Sequence, residues 1–170
     1  MQIDVVHGRS GTDVRRVLES LPDWFGDPGA IDAYVVDAES DRYDSLLASD
    51  GTQVLGVALL RRHFPEAAEL HLIAVAPAAQ GRGIGRLLVE RVSADLAASG
   101  CAILSVHTVG PSFDHEPYAR TRRFSGRTTR PAASQPSRVQ TRISPAPRLA
   151  HDEYGTKTSS ASSEVTGPLR

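Results

Sequence analysis

A glycine-rich segment between a predicted strand and a predicted helix constrains the fold more than any other feature of the sequence. The strand covers residues 69–75, and Gln80-Gly81-Arg82-Gly83-Ile84-Gly85 follows it after a proline. The helix comes next, ends at Gly100, and carries apolar residues on one side: Leu88, Val89, Val92 and Leu96. This order places the unpaired N–H groups of a helix start beside glycines, an arrangement that binds anionic groups such as a pyrophosphate.

The glycine pattern alone leaves several interpretations open. It would suit a dinucleotide fold, a phosphate loop or a tight turn that binds nothing. A nucleotide-hydrolysing phosphate loop is disfavoured because no Gly-Lys-Ser/Thr sequence ends the segment. A dinucleotide fold is disfavoured because the segment does not open the chain in a parallel strand–helix–strand unit.

Two helices are predicted before the glycine segment, after a first strand at residues 2–6. Thr12 is a suitable N-cap for the first helix, whose apolar residues recur at helical spacing: Val14, Val17, Leu18 and Leu21. Pro28 suits the first turn of the second helix. Trp24 and Phe25 lie between the two helices, where they serve either a pocket or core packing.

Three further strands complete the predicted pattern. Residues 43–49 and 53–63 flank Asp50-Gly51, which favours a tight hairpin turn. Residues 101–106 form a mostly apolar run typical of a buried strand. The order of strand, two helices, three strands, helix and strand predicts an α/β fold in which helices flank a mixed β-sheet.

Residues 72–88, Leu-Ile-Ala-Val-Ala-Pro-Ala-Ala-Gln-Gly-Arg-Gly-Ile-Gly-Arg-Leu-Leu, closely resemble the central motif of GNAT-superfamily N-acetyltransferases. The resemblance extends over residues 1–124 and implies a GNAT-like acetyl-CoA-binding domain. It implies that Ile73 and Val75 offer main-chain contacts to the acetyl-pantetheine arm. It also implies a set of residues around the pyrophosphate: Gln80, Gly81, Arg82, Gly83, Ile84, Gly85 and Arg86.

The activity implied by the resemblance is transfer of an acetyl group from acetyl-CoA to an amine acceptor by direct attack. The acceptor would be a small molecule or a peptide, and its identity is not readable from the fold. Many relatives form dimers, so a homodimer is among the expectations. We see no secretory signal and no apolar run that would span a membrane, and therefore expect a cytoplasmic protein.

Glu69 and His71 are the candidate catalytic residues. An acceptor amine must lose a proton, which requires a base. By the period of two, Glu69, His71, Ile73 and Val75 are predicted to share one face of their strand. The alternative is that both are ordinary polar residues near a strand end. His107 is a further candidate, and we expect no metal, because the histidines lack the spacing of a recognised site and Cys101 is the single cysteine.

The chain changes character after Pro117. Residues 1–116 carry a net charge of -8 and residues 117–170 a net charge of +7. We expect residues 125–170 to form a disordered Arg/Pro/Ser-rich tail, because their large apolar residues are too sparse for a core. The fold would then be incomplete at its C-terminal part. Ser125 stands where the family commonly has the tyrosine that protonates the leaving thiolate.

Three alternatives follow from the tail. The protein could be a catalytically impaired remnant that still binds acetyl-CoA, because the proton donor and the last strands lack counterparts. A basic tail could instead bind nucleic acid, a weaker alternative that depends only on the arginines. The reading frame could also have changed near Phe124, since a shifted GC-rich frame would supply Arg, Pro, Ser and Ala.

Overall fold

The computed structural model describes residues 2–109 and 138–144. Nine regular elements follow one another in this part of the chain, and a short 3₁₀ turn at Pro77–Ala79 precedes the third helix. In chain order they are β1 (Asp4–His7), α1 (Gly11–Glu19), α2 (Pro28–Glu39), β2 (Tyr43–Ser49), β3 (Val54–Phe64), β4 (Ala67–Val75), α3 (Ile84–Ala98), β5 (Ile103–Val109) and β6 (Arg138–Ser144).

The strands form one sheet in the order β1-β2-β3-β4-β5-β6. β1 to β4 are antiparallel neighbours, whereas β4 pairs with β5, and β5 with β6, in parallel. The helix α3 supplies the crossover that the parallel β4–β5 pair requires. The predicted mixed sheet flanked by helices, and the predicted order of elements up to β5, are confirmed.

β6 comes from the segment that the sequence predicts to be without regular structure. Arg138–Ser144 pairs with the full length of β5, from Ile103↔Arg138 to Val109↔Ser144. Periodicity could not find this strand because only two of its seven residues, Val139 and Ile143, are large and apolar. The other residues of the predicted tail, 125–137 and 145–170, lie outside the described residues.

α1 begins two residues earlier than predicted. Ser10, and not Thr12, is the N-cap, and its Oγ accepts a hydrogen bond from the Asp13 N–H at 3.2 Å. An N-cap side chain can bond the N–H of the residue three positions later, and Asp13 is three positions after Ser10. The predicted apolar side is correct, since Val14, Val17 and Leu18 are buried.

The β2–β3 hairpin turns at the predicted residues but with a longer loop. Gly51 has φ +89°, a conformation that favours glycine. Asp50 Oδ1 accepts hydrogen bonds from the Thr52 and Gln53 N–H groups, both at 3.0 Å, and from the Thr52 hydroxyl. These bonds lower the pKa of Asp50, and the bond from the Thr52 hydroxyl has the largest effect. The carboxylate thus organises a four-residue loop, one residue longer than the predicted strands at 43–49 and 53–63 leave.

Two apolar cores lie on opposite faces of the sheet. One core packs α3, through Leu88, Val92 and Leu96, on buried residues of β2 to β5. The other packs α1 and α2 on the opposite face, where Leu59 and Leu72 are buried. The glycine segment before α3 therefore depends on one core, and the start of β2 together with α2 depends on the other.

Leu88→Ala should destabilise the fold by about 2–5 kcal/mol, because the side chain is fully buried and its loss leaves a cavity. Its neighbour Leu87 is 39% exposed and serves as the matched control. Leu87→Ala should change the free energy of unfolding by only about 0.5 kcal/mol. Urea unfolding of both variants measures the difference, and equal losses would contradict the placement of α3.

Candidate functional site

A gap opens between β4 and β5 in the second half of β4. Their parallel pairing runs from Ala67↔Ile103 to Leu70↔Val106. Beyond that point β4 continues to Val75 along β3, whereas β5 continues to Val109 along β6. The two parallel strands therefore separate toward their carboxyl ends, the side of the sheet where ligands bind in many α/β folds.

The backbone of β4 lines this gap. The Ala76 N–H donates to the Leu55 carbonyl of β3 at 2.8 Å. Because backbone direction alternates along a strand, the N–H and C=O groups of Ile73 and Val75 point away from β3 and toward the gap. The Val75 carbonyl accepts a hydrogen bond from Gln80 Nε2 at 3.1 Å, which ties the glycine loop to the end of β4.

The glycine loop ends in a helix start that no side chain caps. Gly81 and Gly83 have φ +76° and +81°, so the chain reverses there in conformations that other residues rarely adopt. Gly83 is the N-cap of α3, without a side-chain cap bond and without an acidic residue in the first turn. A Cβ added at Gly81 or Gly83 would have no atom within 4 Å. The loop therefore offers open space and N–H groups, an arrangement that suits an anionic group such as a pyrophosphate.

The predicted phosphate-binding residues contribute in different ways. Ile84 is 1% exposed, and its side chain belongs to the α3 core, so only its backbone is available to a ligand. Arg82 and Arg86 are exposed. Arg86 Nε donates to Glu90 at 2.7 Å, a bond that raises the pKa of this guanidinium. Arg86 would have to leave Glu90 to reach a phosphate.

The prediction that Glu69, His71, Ile73 and Val75 share one face is wrong. The β3–β4 register shifts between Leu59↔Leu72 and Leu60↔Leu70, so His71 is an extra residue in β4. Such a bulge breaks the alternation of a strand. The Ile73 and Val75 side chains pack on the α3 core, whereas His71 contacts α2 on the other face.

Glu69 and His71 nevertheless lie close together, in a polar cluster with two partners that the sequence did not single out. Glu69 is 9% exposed, and its Oε2 lies 2.8 Å from His63 Nε2. His71 Nδ1 lies 3.9 Å from Glu69 Oε1, and His71 Nε2 lies 3.1 Å from Asp37 Oδ2. Asp37 and His63 come from α2 and β3, so only the folded chain brings them together.

Two tyrosine rings enclose His71. The ring centroids of Tyr43 and Tyr34 lie 4.9 and 5.5 Å from that of His71. Tyr43 is buried, and this burial raises its pKa. The negative charge of Asp37 acts in the same direction, and the positive charge of Arg61 opposes it. The sequence contains one weak indication of this cluster: Tyr34 and Asp37 are three residues apart and therefore share a helix face.

The other aromatic and histidine candidates have different outcomes. Trp24 and Phe25 are partly buried against the α1–α2 core, and Phe25 meets Tyr34 edge to face at 5.8 Å. Core packing therefore buries part of the surface of both side chains. His107 lies on β5, but its side chain lies outside the described residues, as does Ser125.

A pocket of about 400 Å³ lies elsewhere on the molecule. It is on the α3 face, beside β1 to β3, where Asp95 and Arg62 contribute to its lining. His7 and Arg91 pair with Asp95, and Arg62 reaches Asp44 and Ser99. It includes no residue of the glycine loop and none of the Glu69–His71 cluster, so we place the candidate site at the gap and not in this pocket.

Comparisons with known proteins agree with this geometry. The acetyltransferase (GNAT) family matches residues 14–116. Mycothiol acetyltransferase of Gordonia bronchialis is 36% identical over 63 residues, which cover 37% of this chain and 20% of that protein. A structure assigned to the GNAT acetyltransferase family, from Desulfovibrio desulfuricans, has a TM-score of 0.65 at 24% identity, over 78% of this chain and 87% of that one.

A second structure, AAC(6')-Iy in complex with the bisubstrate analog CoA-S-monomethyl-acetylneamine, has a TM-score of 0.59 at 16% identity. The match covers 79% of this chain and 95% of that one. The chain therefore belongs to the acetyltransferase (GNAT) family, a family of acyltransferases.

Two further features concern membranes and metals. Within residues 2–109 and 138–144, no helix combines the length and the apolar character that a membrane-spanning segment needs. Over the same ranges, no three His, Cys, Asp or Glu side chains are grouped so that they would hold a metal ion.

Tyr43 should ionise at higher pH than a tyrosine exposed to solvent, because its pKa is raised in the folded state. Its contribution to stability is then complete below the unfolded-state pKa and is lost as the pH rises through the folded-state pKa. Asp37→Asn removes the neighbouring negative charge and should lower the pKa of Tyr43. Alkaline titration by ultraviolet absorbance, with Tyr43→Phe to identify the signal among four tyrosines, measures this shift.

The control is Asp41→Asn, which removes a carboxylate whose side chain is 92% exposed. An equal shift of the Tyr43 pKa in both variants would mean that Asp37 has no effect on Tyr43 beyond that of any lost negative charge.

Proposed function

We propose that the protein is an N-acetyltransferase that transfers an acetyl group from acetyl-CoA to an amine. The observation that carries this proposal is the separation of β4 from β5 directly beside the uncapped glycine loop. The extended acetyl-pantetheine arm of acetyl-CoA fits between separated strands, and its pyrophosphate fits at a helix start. The bisubstrate analog bound by a protein of similar fold, AAC(6')-Iy, supports a CoA donor and an amine acceptor.

The donor would be held mainly by backbone. Ile73 and Val75 would bond the acetyl-pantetheine arm through the N–H and C=O groups that face the gap. Gln80 and the loop from Gly81 to Arg86 would surround the pyrophosphate, where Arg82 adds a positive charge. These contacts orient the thioester and leave the acceptor side of the gap to the Glu69–His71 cluster.

The chemistry would be direct attack of the amine nitrogen on the thioester carbonyl. Glu69 or His71 would take the proton that the amine loses, directly or through water. Backbone N–H groups near Val75 would stabilise the negative charge on the carbonyl oxygen. The acceptor is an amine of a small molecule or a peptide, and a homodimer is compatible with this activity.

Calorimetric titration with acetyl-CoA tests the donor site. Gly83→Glu should abolish binding, because a carboxylate at this helix start repels a pyrophosphate and the backbone is strained. Gly51→Glu is the matched control: Gly51 also has positive φ and open space where a Cβ would lie, but it belongs to the β2–β3 hairpin. Both variants should fold with similar losses of stability.

Loss of binding in Gly83→Glu alone would support the donor site. Absence of binding by the folded wild-type chain would refute it. Binding without transfer to any amine in a screen would favour the alternative, an impaired protein that still binds acetyl-CoA.

Glu69→Gln distinguishes the two candidate bases: kcat should fall by about 10²-fold or more, with an unchanged KM for acetyl-CoA, only where Glu69 itself takes the proton. Steady-state kinetics with an amine found in the screen measure this. Glu66→Gln, a change at an exposed carboxylate of the β3–β4 turn, is the control. An unchanged kcat in Glu69→Gln would leave His71 as the base.

A further inference from the structure

We infer that Asp37 is a positioning residue for acetyl transfer. It fixes the tautomer of His71 so that Nδ1 takes the proton of the acceptor amine. The inference rests on the proposed function and goes beyond it, because it chooses between Glu69 and His71 and assigns a role to a residue of α2.

The contact between Asp37 and His71 determines which nitrogen carries the proton. Asp37 Oδ2 lies 3.1 Å from His71 Nε2. An ionised carboxylate only accepts hydrogen bonds, so Nε2 must donate and therefore carries the hydrogen. A neutral imidazole has one N–H, which leaves the lone pair on Nδ1. Both side chains are about three-quarters buried, so solvent weakens this pair less than a surface pair.

The surroundings of Asp37 hold it against His71. Tyr43, which is 7% exposed, lies near the Asp37 carboxylate, whose negative charge contributes to the raised pKa of Tyr43. The Tyr43 and Tyr34 rings limit the orientation of the imidazole between them. The imidazole is therefore restricted by the two rings on one hand and by its contact with Asp37 on the other.

The opposite side of the imidazole faces a second carboxylate. Glu69 Oε1 lies 3.9 Å from His71 Nδ1, and His63 bonds the other oxygen of Glu69. The charged or titratable groups around His71 are thus Asp37, Glu69, His63, Tyr34, Tyr43 and, over the Tyr43 ring, Arg61. An imidazolium formed at His71 lies between two carboxylates, which stabilise its positive charge.

The position of His71 suits a proton acceptor. It is the bulged residue of β4 and the first residue after the last β4–β5 pair, Leu70↔Val106. In the step that we infer, an N–H bond of the amine breaks and an Nδ1–H bond forms. The electron pair stays on the amine nitrogen and forms the bond to the thioester carbonyl carbon, while the carbonyl electron pair moves to oxygen. When that pair returns, the C–S bond breaks and CoA leaves as a thiolate, which takes a proton from water. The imidazolium later releases its own proton to water.

Asp37→Asn tests the inference by kinetics. An amide either donates or accepts, so this nearly isosteric change no longer fixes the tautomer of His71. We expect kcat to fall by about 10²-fold or more, with an unchanged KM for acetyl-CoA. Asp41→Asn removes an exposed carboxylate paired with Arg9 and should leave kcat unchanged. Equal kcat values in Asp37→Asn and wild type would overturn the inference.

Nitrogen-15 NMR of the full chain tests the tautomer directly, at a pH where the imidazole is neutral. His71→Gln identifies the His71 signals among the six histidines. We expect a protonated Nε2 and an unprotonated Nδ1 in the wild type, and a mixture of tautomers in Asp37→Asn. A protonated Nδ1 in the wild type would overturn the inference. This measurement needs neither acetyl-CoA nor an acceptor, so it separates failure of this inference from failure of the proposed function.

Discussion

The parallel hydrogen bonding between β4 and β5 stops at Leu70 and Val106, and the candidate site depends on this interruption. If the pairing continued, the backbone groups of Ile73 and Val75 would be used by β5. Each strand keeps another partner beyond the interruption, since β3 supports β4 and β6 supports β5. The backbone that lines the gap is therefore held in place, and the gap between β4 and β5 stays open.

In the proposed function, the two faces of the sheet supply different chemistry to the same gap. α3 packs on one face and presents its positive, uncapped start beside the end of β4. α2 packs on the other face and brings Asp37 to His71. The proposed site for the pyrophosphate and the proposed site for proton transfer therefore depend on two different cores of the fold.

Much of the fold could be predicted from the sequence because local signals agreed with the final structure. The apolar side of α3, the proline start of α2 and the Asp50-Gly51 turn are local features, and all three were placed correctly. β6 and the His71 bulge were missed because β6 has few large apolar residues and the bulge is a property of the β3–β4 pairing. Asp37 and His63 were missed because their roles arise from contacts between distant segments.

The bulge at His71 also affects how this chain is aligned with its relatives. His71 and Leu72 are consecutive, yet both face α1 and α2, so β4 contains one residue more than strict alternation needs. A related strand without the extra residue requires a one-residue gap at this point. If that gap is omitted, every residue before it is compared with one from the opposite face, and Glu69 is matched with a core position. At 16–24% identity, few identical residues lie nearby to reveal such an error.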